Sequence, residues 1–502
     1  MKLLSPAISR LARMRMWRIE SAVSNPMAAQ REVLQDLVTS AQYTEFGRRY
    51  GFSSLFSLRA FKEAVPIHEY DDLKHYIERM MDGEQQVLWN TPIHWFAKSS
   101  GTTSDRSKFI PISQESLEDN HYKAAKDVLT LYYHFNPDSD LLTGKGLIIG
   151  GSHNIHQHNE DTHYGDLSAV LLQNTPFYGN WIRTPELSIA LMDEWETKIE
   201  KLAQNTIQEN VTSISGVPTW TLVLFQRILE ITGKSNMLEV WPNLELYMHG
   251  GVSFVPYREQ FDRLLGRPIH YLDMYNASEG FFAAQDDPNE EGMLLFVDHG
   301  VFMEFMPAEE YGSPSPQTVG LGDVEVGRNY ALVISTNGGL WRYLLGDTVQ
   351  FTSLRPFRVK VSGRLKQFIN AFGEELIVDN SDTAIAHASR QTGVVVRDYT
   401  AGPIYFSEGG NGGHEWLIEF ESEPADLSHF TYELDAALKG VNSDYEAKRH
   451  RDIALRMPVV RSLPSGSFNA WLRSKGRLGG QHKVPRLSND RRYIEEILSL
   501  TA

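Results

Sequence analysis

Cysteine is absent from the 502-residue chain. That absence excludes disulfides, thiolate nucleophiles and cysteine-ligated metal together, and it fits a reducing compartment. No apolar run approaches the ~20 residues that a transmembrane helix needs. The basic, partly apolar start, residues 1–18, is interrupted by Arg10, Arg13, Arg15 and Arg18. It therefore reads as a surface helix and not as an export signal, with a membrane-surface contact as the alternative. A cytoplasmic protein without an integral membrane segment is expected. Positive charge is in deficit, with 48 Lys and Arg against 64 Asp and Glu and a net charge of −16. Non-specific nucleic-acid binding depends on exposed Lys and Arg, so this balance argues against a nucleic-acid partner. It does not argue against an anionic ligand, because one pocket can differ in sign from the whole surface. The chain also lacks an obvious repeat, the Gly-x-Ser-x-Gly of serine hydrolases and the His-Glu-x-x-His of zinc proteases.

What is present suits a large folded protein. Hydrophobic residues make up 41% and charged residues 22%, and at ~150 residues per domain the length implies two to four folding units. Helical and strand patterns alternate, which predicts an α/β architecture. Helical periodicity covers 186–207 and 220–232, the latter with Gly233 as its stop. Short apolar runs at 147–149, 244–248 and 293–297 predict buried strands, and 301–306 and 330–335 predict strands of an outer sheet. Residues 307–323, rich in Pro, Gly and Ser, predict a surface connection, and 407–414 a flexible hairpin tip. After about Gly363 the composition changes. A further strand (415–421) and helix (427–438) predict a separate small domain.

The most informative stretch is 98–111, KSSGTTSDRSKFIP. Hydroxyls at Ser100, Thr102 and Thr103 surround Gly101, and Lys108 follows. Backbone N–H groups and hydroxyls of this kind can wrap phosphate oxygens while the lysine supplies charge. It is not the Gly-x4-Gly-Lys-Ser/Thr pattern. On composition alone, a polar turn leading into a strand is the favoured reading.

In order along the chain come 59–70 (RAFKEAVPIHEY), 98–111, Gly216-Val217-Pro218-Thr219-Trp220, 275–280 (YNASEG), 341–347 (WRYLLGD), 363–366 (GRLK) and 481–486 (QHKVPR). This ordered set resembles the adenylate-forming enzyme superfamily. Within it the set is most similar to the Gretchen Hagen family of auxin-responsive acyl acid-amido synthetases, in its bacterial form. The likeness covers nearly the whole chain. It implies a large N-terminal adenylate-forming domain of mixed sheets and helices, residues 1–363, and a smaller mobile α/β C-terminal domain, residues 364–502. It implies ATP and Mg2+, and substrates that are a carboxylic acid and an amine, usually an amino acid. The acid would be activated as acyl-AMP and passed to the amine. An acyl-CoA ligase of the same superfamily and a nucleotide-binding scaffold without turnover are the alternatives.

The resemblance also implies roles. Ser99, Ser100, Gly101, Thr102, Thr103 and Lys108 would hold the ATP phosphates, although Ser104-Asp105-Arg106 replaces the motif's usual glycine. His249, Gly250 and Gly251 would lie beside adenine, Tyr275 would stack on it, and Ser278 would contact the α-phosphate. Glu279 would coordinate Mg2+, which takes one or two carboxylates plus phosphate oxygens. Asp347 would accept from the ribose hydroxyls, and Arg364 would contact ribose or phosphate. Lys366 would sit at the pivot between domains. Lys483 would be the catalytic lysine delivered by domain closure. Phe177, Tyr178, Val217 and Trp220 would line the acyl pocket. The dense histidines His153, His156, His158 and His163 have no zinc-ligand spacing and read as a polar loop. Arg342 carries no assigned role beyond an ion pair.

Overall fold

The structure, a computed structural model, describes the chain apart from residues 1–4, 56, 100–107, 150–154, 176–178, 180–181, 193–194, 253, 255–256, 366, 407–410, 453, 476–483 and 502. It is an α/β protein built around one mixed sheet of eleven strands. One half is antiparallel and runs Val301–Pro307, Asn329–Thr336, Tyr343–Leu354, Phe357–Arg364, Met293–Leu295, Gly280–Ala284, His270–Ala277. From His270–Ala277 onward the pairing is parallel, through Leu246–Gly250, Val211–Gly216, Lys145–Ile149 and Arg183–Thr184. A four-stranded sheet packs beside it, in which Lys108–Ile112 is an edge strand paired with Trp95–Ser99. Past Arg364 lie a two-stranded ladder and a three-stranded sheet of Val396–Ile404, Gly413–Phe420 and Val459–Leu463.

The expected helix at 220–232 forms as Pro218–Thr232. Proline occupies the first turn, where its missing N–H costs nothing. The helix stops at Gly233, whose φ of +63° is open to glycine at no steric penalty. The pattern at 186–207 does not make one helix. It yields a single turn, Leu187–Ala190, and a helix, Trp195–Thr206. The short turn ends because Leu191 leaves helical geometry.

The strands expected at 301–306 and 330–335 do form, but in the main sheet and not in an outer one. Every residue of Val301–Pro307 is buried, because the rim is sealed by distant chain. The Gln30 side chain, from the helix Pro26–Ala41, donates to the carbonyls of Val297 and Val301 at 2.8 and 3.0 Å and accepts from Met303 N–H at 2.8 Å. Phe305 exchanges both backbone hydrogen bonds with Val319, at 3.0 and 2.8 Å, so the connection 307–323 folds back onto the same rim. The expected hairpin tip at 407–414 is shorter, since Gly413 and His414 already belong to a buried strand.

Arg342 has a structural role. Its guanidinium pairs with both Glu304 oxygens at 2.8 and 2.9 Å, with side-chain exposures of 6% and 1%. It also donates to the Val65 carbonyl at 2.7 Å. The backbone nearby pairs with 66–70. His68 N–H donates to Arg342 O at 2.9 Å, and Leu344 N–H to His68 O at 2.8 Å. One buried ion pair therefore fastens 59–70 to 341–347. Removing one partner of such a pair leaves an uncompensated buried charge. Arg342→Met is expected to lower unfolding free energy by roughly 3–5 kcal/mol, and the double replacement Arg342→Met with Glu304→Leu by much less. Urea unfolding of the three proteins checks this.

Candidate active site

The phosphate-type segment is flanked by two antiparallel strands, Trp95–Ser99 and Lys108–Ile112. Ser99 and Lys108 are partners at the ends of those strands, while Ser100, Gly101, Thr102 and Thr103 lie outside the described residues. Lys108 is buried. Its Nζ lies 3.4 Å from the Tyr343 hydroxyl and 5.7 Å from the centre of the Tyr70 ring. The Tyr70 hydroxyl in turn accepts the Phe109 N–H at 2.8 Å. Tyr70 ends the segment that Arg342 anchors, so the pairing of 66–70 with 341–344 brings both tyrosines to the lysine.

Ser278 and Glu279 form the two-residue turn between His270–Ala277 and Gly280–Ala284, in which Ala277 pairs with Gly280. The turn is held from behind by Asn120, which accepts the Phe281 N–H at 2.7 Å and donates to the Phe281 and His299 carbonyls at 3.2 and 2.8 Å. Burial pushes the Glu279 carboxyl above its usual range. Lys108 opposes that shift, Asp347 adds to it, and Arg364 opposes it. Burial likewise pushes Tyr70 up to about 12. It raises Tyr343 well above its ordinary value, with the facing Glu279 adding to the effect.

Asp347 joins three segments. The Tyr275 hydroxyl donates to its Oδ2 at 3.0 Å, and Arg364 Nε to its Oδ1 at 2.7 Å. Asp347 and Arg364 face each other in register on neighbouring strands. Arg364 also pairs with Glu375 beyond the end of the main sheet. The Tyr275 ring packs on Phe282 with centroids 5.0 Å apart.

His249 and Gly250 end the strand beside Tyr275, and Gly251 follows just past it. Gly250 pairs with Met274, and a Cβ there would meet the Met274 carbonyl oxygen at 2.5 Å, so only glycine allows that approach. His249 Nδ1 is 3.3 Å from Asp273 Oδ1, and the ring stacks on Phe254 at 4.2 Å. Val217 leaves the same ends of the parallel strands, the usual position for ligands in open α/β sheets. Trp220, in the first turn of the helix Pro218–Thr232, is buried and faces Lys448 of the C-terminal segment.

Lys108, Tyr275, Glu279, Asp347 and Arg364 thus come together, with His249–Gly251 one strand away. Phe177, Tyr178, Lys366 and Lys483 lie outside the described residues. Tyr70, Tyr343 and Glu375 belong to the cluster but were not singled out from sequence. The signal available was that Tyr70 closes 59–70 and Tyr343 sits inside 341–347. The described histidines of the 153–163 run have separate partners: His156 stacks on Tyr164, His158 pairs with Asp82 at 3.1 Å, and His163 lies against Trp95. No group of three or more His, Asp or Glu among the described residues is arranged to hold a metal by itself. No helix is long and apolar enough to cross a membrane among the described residues.

Three family descriptions match the chain in order: GH3 family N-terminal domain over residues 15–269, central domain over 294–364 and C-terminal domain over 379–492. Indole-3-acetic acid-amido synthetase GH3.3 of Arabidopsis thaliana is 24% identical, over 93% of this chain and 90% of its own length. The 4-substituted benzoates-glutamate ligase GH3.12 of Arabidopsis thaliana is 22% identical over 93% and 94%. A solved structure, AtGH3.15 acyl acid amido synthetase in complex with 2,4-DB, superposes with a TM-score of 0.63 at 17% identity. It covers 98% of this chain and 96% of that one, and speaks for the fold.

The raised Glu279 carboxyl has a stability consequence of definite sign. The folded protein holds that proton more tightly than the unfolded chain. The resulting stabilisation is complete below the ordinary glutamate value and is lost as pH rises through the raised folded value. Glu279→Gln, neutral throughout, is therefore expected to melt above the parent near pH 7. The gap should close as pH falls toward about 4–5. Calorimetric melts of both proteins across that range check it, and a variant less stable near pH 7 would mean that Lys108 outweighs burial.

Proposed function

We propose, since this chain belongs to the GH3 family, that it is an ATP-dependent acyl acid-amido synthetase. Of the relatives named above, one is an indole-3-acetic acid-amido synthetase and another a ligase of 4-substituted benzoates with glutamate. In the first step a carboxylate oxygen attacks the α-phosphorus of ATP, and pyrophosphate leaves to give acyl-AMP. In the second an amine attacks the acyl carbon, AMP leaves with the bonding pair, and the nitrogen gives up its proton. No covalent link to the protein is required, so a chain without cysteine loses nothing. The observation that supports this most is the convergence of Lys108, Glu279, Tyr275, Asp347 and Arg364 from four separated segments.

Each residue then has a task that its surroundings suit. Asp347, already accepting from Tyr275 and Arg364, would accept the ribose hydroxyls. Lys108, held against two tyrosine faces, would offset charge on the phosphates, assisted by Ser99 and by Ser100, Gly101, Thr102 and Thr103. His249, Gly250 and Gly251 would border the base, with Tyr275 across from them and Ser278 near the α-phosphate. Mg2+, when bound, would supply charge neutralisation at the phosphates. Glu279 fits it as the one protein carboxylate that such a site needs, because burial disfavours its ionised form and a neighbouring dication restores it. Val217, Trp220, Phe177 and Tyr178 would border the acid. We divide the chain at Arg364 into an adenylation domain, 1–363, and a mobile C-terminal domain, 364–502, which would carry Lys483 to the reacting oxygens on closing. A cytoplasmic location fits this reading.

ATP–pyrophosphate exchange across a panel of carboxylic acids tests the proposal. At least one acid is expected to support exchange, and pooled amino acids are then expected to give an amide identifiable by mass. A CoA thioester as the sole product would place the chain with the CoA ligases instead. Lys483→Ala is expected to slow exchange by roughly 10²–10³-fold while ATP still binds, as for loss of one group that stabilises developing charge. An unchanged rate removes Lys483 from the mechanism.

A further inference from the structure

The side chain of Lys448 is buried, and among the described residues its ammonium has no counter-ion. It lies in the helix Ser443–Arg449, well past Arg364, and is 6% exposed. Its Nζ stands 5.6 Å from the centre of the Trp220 ring. A Cβ built on Gly373 would lie 3.2 Å from Lys448 Cε, 3.6 Å from its Nζ and 4.0 Å from Val217 Cγ1. Three parts of the chain therefore meet at this ammonium. They are the mouth of the parallel sheet at 217–220, the turn at 371–375 and the C-terminal helix.

Among the described residues, Lys448 Nζ makes neither a hydrogen bond nor an ion pair. The acidic and basic groups around it are committed elsewhere. Glu374 accepts the Phe372 N–H at 2.7 Å and faces His414 Nε2 at 2.7 Å. Glu375 pairs with Arg364. Asp435 is held by Arg449 at 2.7 and 2.9 Å and by Lys439 at 2.6 Å. The neighbouring Arg449 is thus fully matched, and Lys448, one residue earlier, has only an aromatic face. Taking an ammonium out of water is costly unless it is paired, and a cation–π contact returns only part of that cost. The arrangement is that of a site which waits for an anion.

We propose that Lys448 binds the carboxylate of the amino acid that accepts the acyl group. This deepens the proposed function and rests on it. That reaction brings three anionic groups to the protein. The phosphates meet Lys108 and Arg364, and the carboxylate of the acid is neutralised when it becomes the acyl-phosphate. The carboxylate of the acceptor amino acid persists through the second step. Lys448 comes from the C-terminal segment and opens on Val217 and Trp220, the wall assigned to the acyl group. There it holds one end of the acceptor while the amine faces the acyl carbon. It is a substrate-binding residue for the second step only.

The test uses the full chain with the acid found by the exchange screen. Lys448→Met keeps length and removes charge, and Lys448→Arg keeps the charge. Exchange by both variants is expected within about twofold of the parent, which also shows that they fold. For the best amino acid of the pool, Lys448→Met is expected to raise KM at least tenfold with a smaller change in kcat, and Lys448→Arg to recover part of it. With the corresponding amino acid amide, which carries a carboxamide in place of the carboxylate, parent and Lys448→Met are expected to be alike. An equal loss with both acceptors, or an unchanged KM, overturns the assignment. Absence of exchange by the parent with every acid overturns the proposed function itself, and this inference with it.

Discussion

Both oxygens of the Asp347 carboxylate are engaged, one by the Tyr275 hydroxyl and the other by Arg364. This constrains everything around it. Tyr275 fixes the strand that ends in the turn bearing Glu279. Arg364 is the last residue of the main sheet and reaches on to Glu375, so the same carboxylate is tied to the C-terminal segment. A change in where that segment sits must pass through Arg364 to reach Asp347. A charged side chain held by two acids on different segments is well suited to a joint, because either contact can be exchanged for the other, or for a ligand oxygen, without leaving the guanidinium bare.

The protein separates the places that hold it together from the places that react. Arg342 and Glu304 satisfy each other in a dry interior and lock the backbone from 66 to 70 against 341 to 344. Next to that ion pair, where Tyr343 directly follows Arg342, Glu279 and the two tyrosines gather near Lys108 in surroundings in which burial works against ionisation. The rigid pair lets the less comfortable group persist. That division is common at reactive sites, where polar groups are held in positions that folding alone would not favour.

Sequence reasoning read the long, strongly patterned elements well. The helix from Pro218 to Gly233 carries its own start and stop, and the buried runs at 147–149 and 293–297 became strands near their expected places. It failed where tertiary contact decides. Val301–Pro307 is fully buried only because Gln30 and Val319 cover its rim, and nothing within 301–307 announces either. The helical pattern at 186–207 breaks because periodicity does not register where the backbone must turn. Tyr70, Tyr343 and Glu375 went unnoticed for a related reason. Each acts through a partner far away in sequence, and the pairing of 66–70 with 341–344 is visible only in the fold. Lys448 is a still harder case, since its signal is the lack of a counter-ion among the described residues.

The sealed rim of Val301–Pro307 bears on how the chain is made. That segment, VFMEFMP, is apolar at all but one position, and left open it is a ready template for another molecule's backbone. Its two covers differ in timing. The helix carrying Gln30 leaves the ribosome first and is waiting when residues 301–303 emerge, whereas Val319 follows after. Loss of the first forty residues, by proteolysis or by an alternative start, would uncover a sticky strand in an otherwise intact sheet. Such a fragment would be prone to aggregate even where its catalytic groups are all in place.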